Sequence, residues 1–173
     1  NALPGILAPY DAVPRTWRLV DTVLAYWQKM GVGGFRCDMA HMVPLPFWRW
    51  IISNSRLRDS SVFFMAEAYN DHMKLCDTDV NEALYNCGFC GVYDGEAYQH
   101  MRSLYEGGTW ANDLDRFNHH EHPRFWGGVR YLENHDEPRL AAPGFWGGRG
   151  AAAARALMVA HYCSASGPVL VYN

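Results

Sequence analysis

The sequence lacks long apolar runs, an excess of positive charge and low-complexity tracts, and each absence excludes a class of structure or partner. Its apolar stretches fall far short of the roughly 20 residues that cross a bilayer, so no membrane partner is expected. The formal net charge of -3 provides no basic surface for nucleic acid. The five cysteines are an odd number without the spacing of a disulfide scaffold. A globular domain with small, neutral partners is what remains.

Helix-type and strand-type segments alternate along the 173 residues, and no linker separates them. Amphipathic periodicity and helix propensity predict helices at 16–30, 46–57, 96–105 and 151–162. Short apolar runs predict strands at 35–39, 62–66, 89–93, 129–132 and 169–172. The predicted apolar face of the first helix comprises Val20, Val23, Leu24, Trp27 and Met30. The alternation predicts a single α/β domain over 1–173 with a parallel sheet, either doubly wound or closed into a barrel.

Two groups of residues that could serve metal or redox chemistry are interpreted as structural. Cys87 and Cys90 lie among apolar residues rather than at a helix start, so two small buried side chains are favoured over a redox pair. The stretch 107–123 is predicted to be a long solvated loop, because its possible ligands match no metal-binding spacing. These ligands are His119, Glu121 and His122.

Arg36 and Asp38 lie two residues apart in a predicted strand, so their side chains share one face while Phe35 and Cys37 point to the other. A guanidinium beside a carboxylate favours the ionised form that a nucleophile requires. Burying such an ion pair costs free energy, and a functional role for the pair would explain why it is present. A plain ion pair between neighbouring strands is the alternative, and for this pair alone it is the simpler interpretation.

Glu67 and Asp136 follow two further predicted strands. Glu67 comes directly after an apolar run, where a carboxyl group partly removed from water retains its proton more readily, as a general acid requires. Asp136 follows Asn134 and His135 beyond a later strand. The structural alternatives are a Glu exposed at the sheet edge and an Asp that caps a turn or helix.

Three carboxylates therefore follow the carboxyl ends of three separate predicted strands. In barrels and open α/β sheets, that edge carries the chemistry. One carboxyl group kept ionised and another kept protonated are what glycoside hydrolysis uses. The residues predict a carboxylate-pair enzyme, and their spacing leaves the substrate open.

Three segments together resemble the α-amylase family, glycoside hydrolase family 13. The segment 34–38 (GFRCD) is similar to the family's nucleophile motif on the fourth barrel strand, and 64–67 (FMAE) is similar to its acid/base motif on the fifth. The segment 131–136 (YLENHD) resembles the seventh-strand motif. The order of the segments and the 29 and 69 residues between their acidic members also fit the family.

The resemblance implies a partial TIM (β/α)8 barrel with parallel strands 4 to 8 and intervening helices. A complete barrel needs roughly 250 residues, so strands 1 to 3, with the family's third-strand motif, are expected outside this chain. The start at Asn1 and the strand-like end at 169–173 agree with a chain cut at both ends. Any signal peptide would then lie elsewhere, and the compartment stays open.

The resemblance also implies the catalytic roles. Asp38 is the expected nucleophile and Glu67 the expected acid/base. Asp136 is expected to stabilise the distorted sugar at the cleavage point.

Three further residues are expected to bind substrate or position these groups. His135 is expected to grip the sugar beside Asp136, and Arg36 is expected to orient Asp38. Arg139 resembles an Arg found in some oligosaccharide-acting members. No metal ligand or cofactor is expected in this chain, and a calcium site in the whole protein finds no support among its residues.

The implied function is retaining hydrolysis of α-glucosidic bonds in an α-glucan or maltooligosaccharide, through a covalent glycosyl-enzyme intermediate. One alternative is an α-glucan transglycosylase, such as a glucanotransferase or maltosyltransferase, which uses the same carboxylates but excludes water. The other is a non-catalytic barrel relative, which the presence of all three acidic residues disfavours. The isolated chain is expected to be inactive.

Overall fold

The computed structural model describes residues 13–69, 74–75, 78–116, 128–142, 150–164 and 167–172. The chain divides into two compact units, Asn1–Val92 and Tyr93–Asn173. The prediction of one domain over 1–173 stays a prediction. No helix within the described ranges is long and apolar enough to span a membrane.

The first unit consists of β/α repeats on a parallel sheet. Its helices are α1 (Arg15–Lys29), α2 (Leu45–Arg58) and α3 (Val80–Asn86). Its strands are β1 (Gly34–Cys37), β2 (Phe63–Ala66), β3 (Lys74–Leu75), β4 (Thr78–Asp79) and the first two residues of β5 (Gly91–Tyr93). A 3-10 turn (Ala40–Met42) follows β1. β1 pairs with β2 and β2 with β5, both in parallel, while β3 and β4 are antiparallel. The predicted parallel α/β fold is confirmed.

Proline and glycine set the boundaries of these elements. Pro14 and Pro44 immediately precede α1 and α2, where their fixed φ suits the entry to a helix. Gly31, with φ 93°, reverses the chain after α1 in a conformation that favours glycine. A Cβ atom on Gly34 would lie 3.0 Å from the carbonyl oxygen of Phe63, so the close approach of β1 to β2 requires glycine there.

An aromatic core packs the helices of the first unit against its sheet. Phe64 of β2 is fully buried, and the Trp48 ring on α2 meets the Phe89 ring edge-on at 5.1 Å. Phe35 and Cys37 pack against the same core, so the predicted alternation along β1 is confirmed.

The predicted apolar face of α1 is only partly buried. Val20 and Leu24 pack against the core, whereas Val23, Trp27 and Met30 are exposed. The predicted helix is confirmed, and its apolar residues form two adjacent stripes, one packed on the core and one exposed. The outer stripe of α1 consists of Leu19, Val23, Tyr26, Trp27 and Met30.

The second unit contains the last residue of β5, the helices α4 (Gly95–Glu106), α5 (Ala111–Arg116) and α6 (Gly150–Cys163), and strand β6 (Gly128–Val129). The Asp94 N–H donates to the Val129 carbonyl oxygen at 3.1 Å and thereby joins the end of β5 to β6. Arg130 forms an isolated parallel bridge with Val169. The Tyr98 ring of α4 stacks on the Tyr131 ring at 5.1 Å.

Three predicted elements of the second unit differ from the structure. The strand predicted at 129–132 is Gly128–Val129 plus the bridge at Arg130. Within 167–172, the predicted terminal strand is reduced to its bridge residue, Val169. The prediction of a loop over 107–123 is wrong at 111–116, where the chain forms the helix α5. The part of that loop from 117 onwards, with its three possible metal ligands, lies outside the described residues.

Candidate active site

Two of the predicted carboxylates follow neighbouring strands. Cys37 of β1 and Ala66 of β2 are partners in the parallel register, and each is followed by an acidic residue, Asp38 and Glu67. The Glu67 N–H donates to the Cys37 carbonyl oxygen at 2.9 Å, which extends the pairing to that point. Both residues therefore lie at the carboxyl edge of the sheet, where parallel α/β proteins place their chemistry.

Arg36 contacts both carboxylates with one guanidinium. Its Nη1 lies 2.5 Å from Oδ1 of Asp38, and its Nη2 lies 2.8 Å from Oε1 of Glu67. The pairing with Asp38 was expected from the two-residue spacing. The contact with Glu67 was not, because it depends on how β1 and β2 are aligned.

The two carboxylates have different surroundings. The Asp38 side chain is 71 % exposed, whereas that of Glu67 is 4 % exposed. Glu67 also accepts hydrogen bonds from the Met39 N–H at 2.9 Å and from the Tyr69 hydroxyl at 3.4 Å. Asp38 is thus open to a substrate, and Glu67 is held on several sides. Met39 and Tyr69 were not among the predicted site residues.

The thiol beside these groups is unsuited to compete as a nucleophile. Burial raises the pKa of Cys37 to about 12, and the neighbouring Arg36 charge offsets this only in part. Because the thiolate is the reactive form, Cys37 stays a neutral packing residue near neutral pH.

The second unit carries the remaining predicted residues on one loop after β6. Nε2 of His135 lies 3.2 Å from Oδ2 of Asp136, and both side chains are about half exposed. Buried Asn134 accepts the N–H groups of Asp136 and Glu137 on its Oδ1, each at 2.8 Å. Sequence reasoning gave Asn134 no role, although an Asn whose side chain binds the amide two residues on is a known turn signal.

Arg139 lies on the same loop and is engaged by its neighbours. Its Nε is 3.7 Å from Oε2 of Glu133, and its guanidinium carbon lies 4.9 Å from the centre of the Tyr172 ring. Glu133 Oε2 also accepts the Leu140 N–H at 2.7 Å. The predicted substrate contact of Arg139 stays a prediction.

A buried charged cluster was absent from the predicted set. Nε of Arg130 lies 3.1 Å from Oδ2 of Asp94, and both side chains are almost fully buried. Asp94 also caps α4 by accepting the Ala97 N–H at 3.0 Å. Burial and the Arg130 charge lower the pKa of His161 to about 4, so this imidazole is neutral near neutral pH.

The structure thus brings Arg36, Asp38 and Glu67 together in the first unit, and places His135, Asp136 and Arg139 on one loop of the second. The convergence of Asp136 on the other two carboxylates stays a prediction. Within the described ranges, no group of three or more His, Cys, Asp or Glu side chains is arranged to hold a metal.

Parallel β/α repeats with carboxylates at the carboxyl edge define the class of α/β proteins to which catalytic barrels belong. Solved structures identify the fold more closely. An α-amylase from Lactobacillus plantarum matches 91 % of this chain and 38 % of its own, with 23 % identity and a TM-score of 0.75. A maltogenic α-amylase from Thermotoga neapolitana matches 75 % of this chain and 29 % of its own, with 28 % identity and a TM-score of 0.56. No family model matches the chain.

Sequence relatives point the same way. The α-1,4-glucan:maltose-1-phosphate maltosyltransferases of Burkholderia pseudomallei and Pseudomonas aeruginosa are each 41 % identical over 59 residues, 34 % of this chain. Those matches span only 5 % and 9 % of the relatives' lengths. The predicted partial barrel fold and the predicted resemblance to the α-amylase family, glycoside hydrolase family 13, are confirmed: the chain is similar to part of the (β/α)8 barrel of that family's α-amylases.

Proposed function

We propose that the protein containing this chain cleaves α-glucosidic bonds in α-glucans or maltooligosaccharides with retention of configuration. The observation that carries this proposal is the contact of Arg36 with both Asp38 and Glu67. Retaining glycosidases need their two carboxyl groups about 5–5.5 Å apart, and a shared guanidinium favours such a short separation.

Asp38 is the proposed nucleophile. Its carboxylate attacks the anomeric carbon while Glu67 gives its proton to the departing glycosidic oxygen, so the C–O bond breaks and a glycosyl ester forms on Asp38. Glu67 then takes a proton from water, which attacks the anomeric carbon and frees Asp38. The exposed position of Asp38 and the fixed position of Glu67 suit these two roles.

The other predicted residues take positioning and binding roles. Arg36 donates a hydrogen bond to Asp38 and aligns it with Glu67. Asp136 and His135 are proposed to form hydrogen bonds with the distorted sugar. Arg139 is proposed to contact the oligosaccharide substrate. These steps use side chains alone and need no cofactor.

Transglycosylation is the second candidate, favoured by the maltosyltransferases among the relatives. An acceptor sugar hydroxyl would replace water in the second step, with the same residues. A non-catalytic barrel relative would bind an α-glucan without converting it.

Product analysis of the whole protein tests these proposals. Maltoheptaose is incubated with and without added maltose, and the first products are followed by chromatography and by NMR of the anomeric proton. Hydrolysis yields shorter sugars in the α configuration, whereas transfer yields longer sugars that increase with maltose. A β product formed first would contradict retention, and the absence of any product would favour the non-catalytic alternative.

Asp38→Asn provides the matched test of the residue assignment. It is expected to lower turnover by roughly 10⁴-fold, since no glycosyl ester can form. Asp21→Asn is the control, because Asp21 is likewise paired with an arginine but on α1, 2.8 Å from Nη1 of Arg58. Full activity in Asp38→Asn would contradict the proposal.

A further inference from the structure

Met39, the residue after the proposed nucleophile, has an unusual backbone conformation. Its φ and ψ of 45° and 44° make it the one non-glycine residue with positive φ among those that the structure describes. Side chains disfavour this region, and a strained residue persists only where its surroundings hold it. Met39 is 45 % exposed, so its own packing does not explain the conformation.

The backbone contacts of Met39 and Ala40 explain the conformation of Met39. In this conformation the Met39 N–H donates to Oε2 of Glu67 at 2.9 Å, and the next amide, that of Ala40, donates to the Glu67 carbonyl oxygen at 2.9 Å. The indole N–H of Trp48 donates to the Ala40 carbonyl oxygen at 2.8 Å and anchors the buried end of the turn.

The Glu67 carboxyl group is therefore held at both oxygens. Met39 binds Oε2, while Arg36 lies 2.8 Å from Oε1. The last torsion of a Glu side chain has broad, weakly defined minima, so its plane is set by what binds the oxygens. Without the Met39 N–H, Oε2 loses this hydrogen bond, and the plane is then set by the contacts of Oε1 with Arg36 and the Tyr69 hydroxyl.

We propose that Met39 is a positioning residue for Glu67, acting through its backbone N–H rather than its side chain. The left-handed turn aims this N–H at Oε2 and so fixes the orientation from which Glu67 delivers its proton. The proposal rests on the proposed function, because it assigns the orientation to the acid/base step of that reaction.

Four substitutions separate backbone from side chain. Met39→Gly and Met39→Asn keep the N–H and tolerate positive φ, while Met39→Leu keeps the apolar bulk. Met39→Val keeps the N–H and is apolar, but a β-branched residue strongly disfavours positive φ. We expect Gly, Asn and Leu to stay within about threefold of the parent in kcat/KM, and Val to fall about tenfold.

A comparison of leaving groups distinguishes positioning from general damage. Cleavage of maltoheptaose needs a proton from Glu67, whereas α-maltosyl fluoride loses fluoride without one. For Met39→Val, kcat/KM should fall about tenfold on maltoheptaose and less than about twofold on the fluoride. Equal losses on both substrates would overturn the proposal, and so would losses in Gly and Asn as large as that in Val, because the side chain would then be the active part.

Amide exchange decides the matter independently of activity. Glu67→Ala removes the acceptor, so the Met39 amide of the whole protein should exchange hydrogen at least about tenfold faster than in the parent. If the parent cleaves neither substrate, the proposed function fails, and unchanged exchange in Glu67→Ala would then overturn the positioning claim as well. Because the exchange measurement uses only the parent and Glu67→Ala, it can be made even if Met39→Val does not fold.

Discussion

Arg36 is the residue through which Asp38 and Glu67 share one cation. A planar guanidinium spreads its charge over a rigid fork, so Nη1 donates to Oδ1 of Asp38 at 2.5 Å while Nη2 lies 2.8 Å from Oε1 of Glu67 as an ion pair. A lysine ammonium is a point charge on a flexible stem and cannot reproduce this fork. The charge at this position therefore matters less than its geometry.

Arg36→Lys tests that geometry in the whole protein. We expect kcat/KM on maltoheptaose to fall roughly 10- to 100-fold, because a charge-assisted hydrogen bond contributes about 1.5–3 kcal/mol. Arg58→Lys is the matched control, since Arg58 pairs with Asp21 at 2.8 Å on the helices. A loss as large in the control as in Arg36→Lys, or no loss in either, would contradict the role of the fork.

At the residue scale, the sequence predicted the charged side chains of the site but not the residues that hold them in position. Arg36, Asp38 and Glu67 could be named because each occupies a recognisable place in or after a strand. The Met39 turn could not, since nothing in the residue type indicates a positive φ. Asn134 could have been identified, because its spacing to Asp136 and Glu137 is that of a side-chain turn.

Helix α6 carries the buried His161 into contact with the chain after β6. Nε2 of His161 lies 3.1 Å from the Tyr131 carbonyl oxygen, and burial together with the Arg130 charge lowers its pKa from 6.5 to about 4. The unfolded chain therefore binds this proton more readily than the folded one. Stability that is present above pH 6.5 is lost as the pH falls towards 4.

This linkage predicts a pH dependence of unfolding. Between pH 7 and pH 5, His161 should remove about 2 kcal/mol of stability, beyond the losses from other groups. His161→Gln keeps a side chain able to hydrogen bond and does not titrate, so its unfolding midpoint should fall less over the same interval. Thermal unfolding of the two proteins at both pH values measures the difference. Parallel pH profiles would contradict the assignment.

Element boundaries followed from the sequence where caps and apolar runs agreed. α1 and α2 lie within one or two residues of the prediction because proline precedes both. α3 was missed, although Asp79 accepts the amides of Asn81 and Glu82 in a helix-capping pattern. The strand expected at 169–172 was overestimated, because an apolar run does not reveal how much of it finds a partner.

At the scale of the whole molecule, helix α1 has one apolar stripe packed on the core and one exposed. Trp17, Val20 and Leu24 of α1 pack on the core, and Asp21 faces Arg58 of α2. The outer stripe remains exposed in the part of the chain that the structure describes. An apolar stripe of this length usually marks a contact surface. We predict that another segment of the whole protein covers it.

Methionine oxidation measures this cover. Met30 and Met42 are exposed to similar extents here, 64 % and 68 %. In the whole protein, hydrogen peroxide should convert Met30 to the sulfoxide at least about tenfold more slowly than Met42, because oxidation follows solvent access. Peptide mass spectrometry over a time course gives both rates, and equal rates would show that the outer stripe stays open.

The resemblance to the α-amylase family was accessible from the sequence because three short motifs occur in the right order. The choice between hydrolysis and transfer could not be predicted from the sequence, since it depends on whether water or a sugar reaches the intermediate. The convergence of Asp136 with Asp38 and Glu67 also stays a prediction.

The most direct test of the central claim is to trap the covalent intermediate. Glu67→Gln in the whole protein is mixed with α-maltosyl fluoride, which needs no protonation to lose fluoride, so the first step proceeds while the second lacks its base. Digestion and mass spectrometry should then find a maltosyl group on Asp38, and azide should release it as the glycosyl azide. A maltosyl group on Glu133 or Asp94, with none on Asp38, would contradict the account.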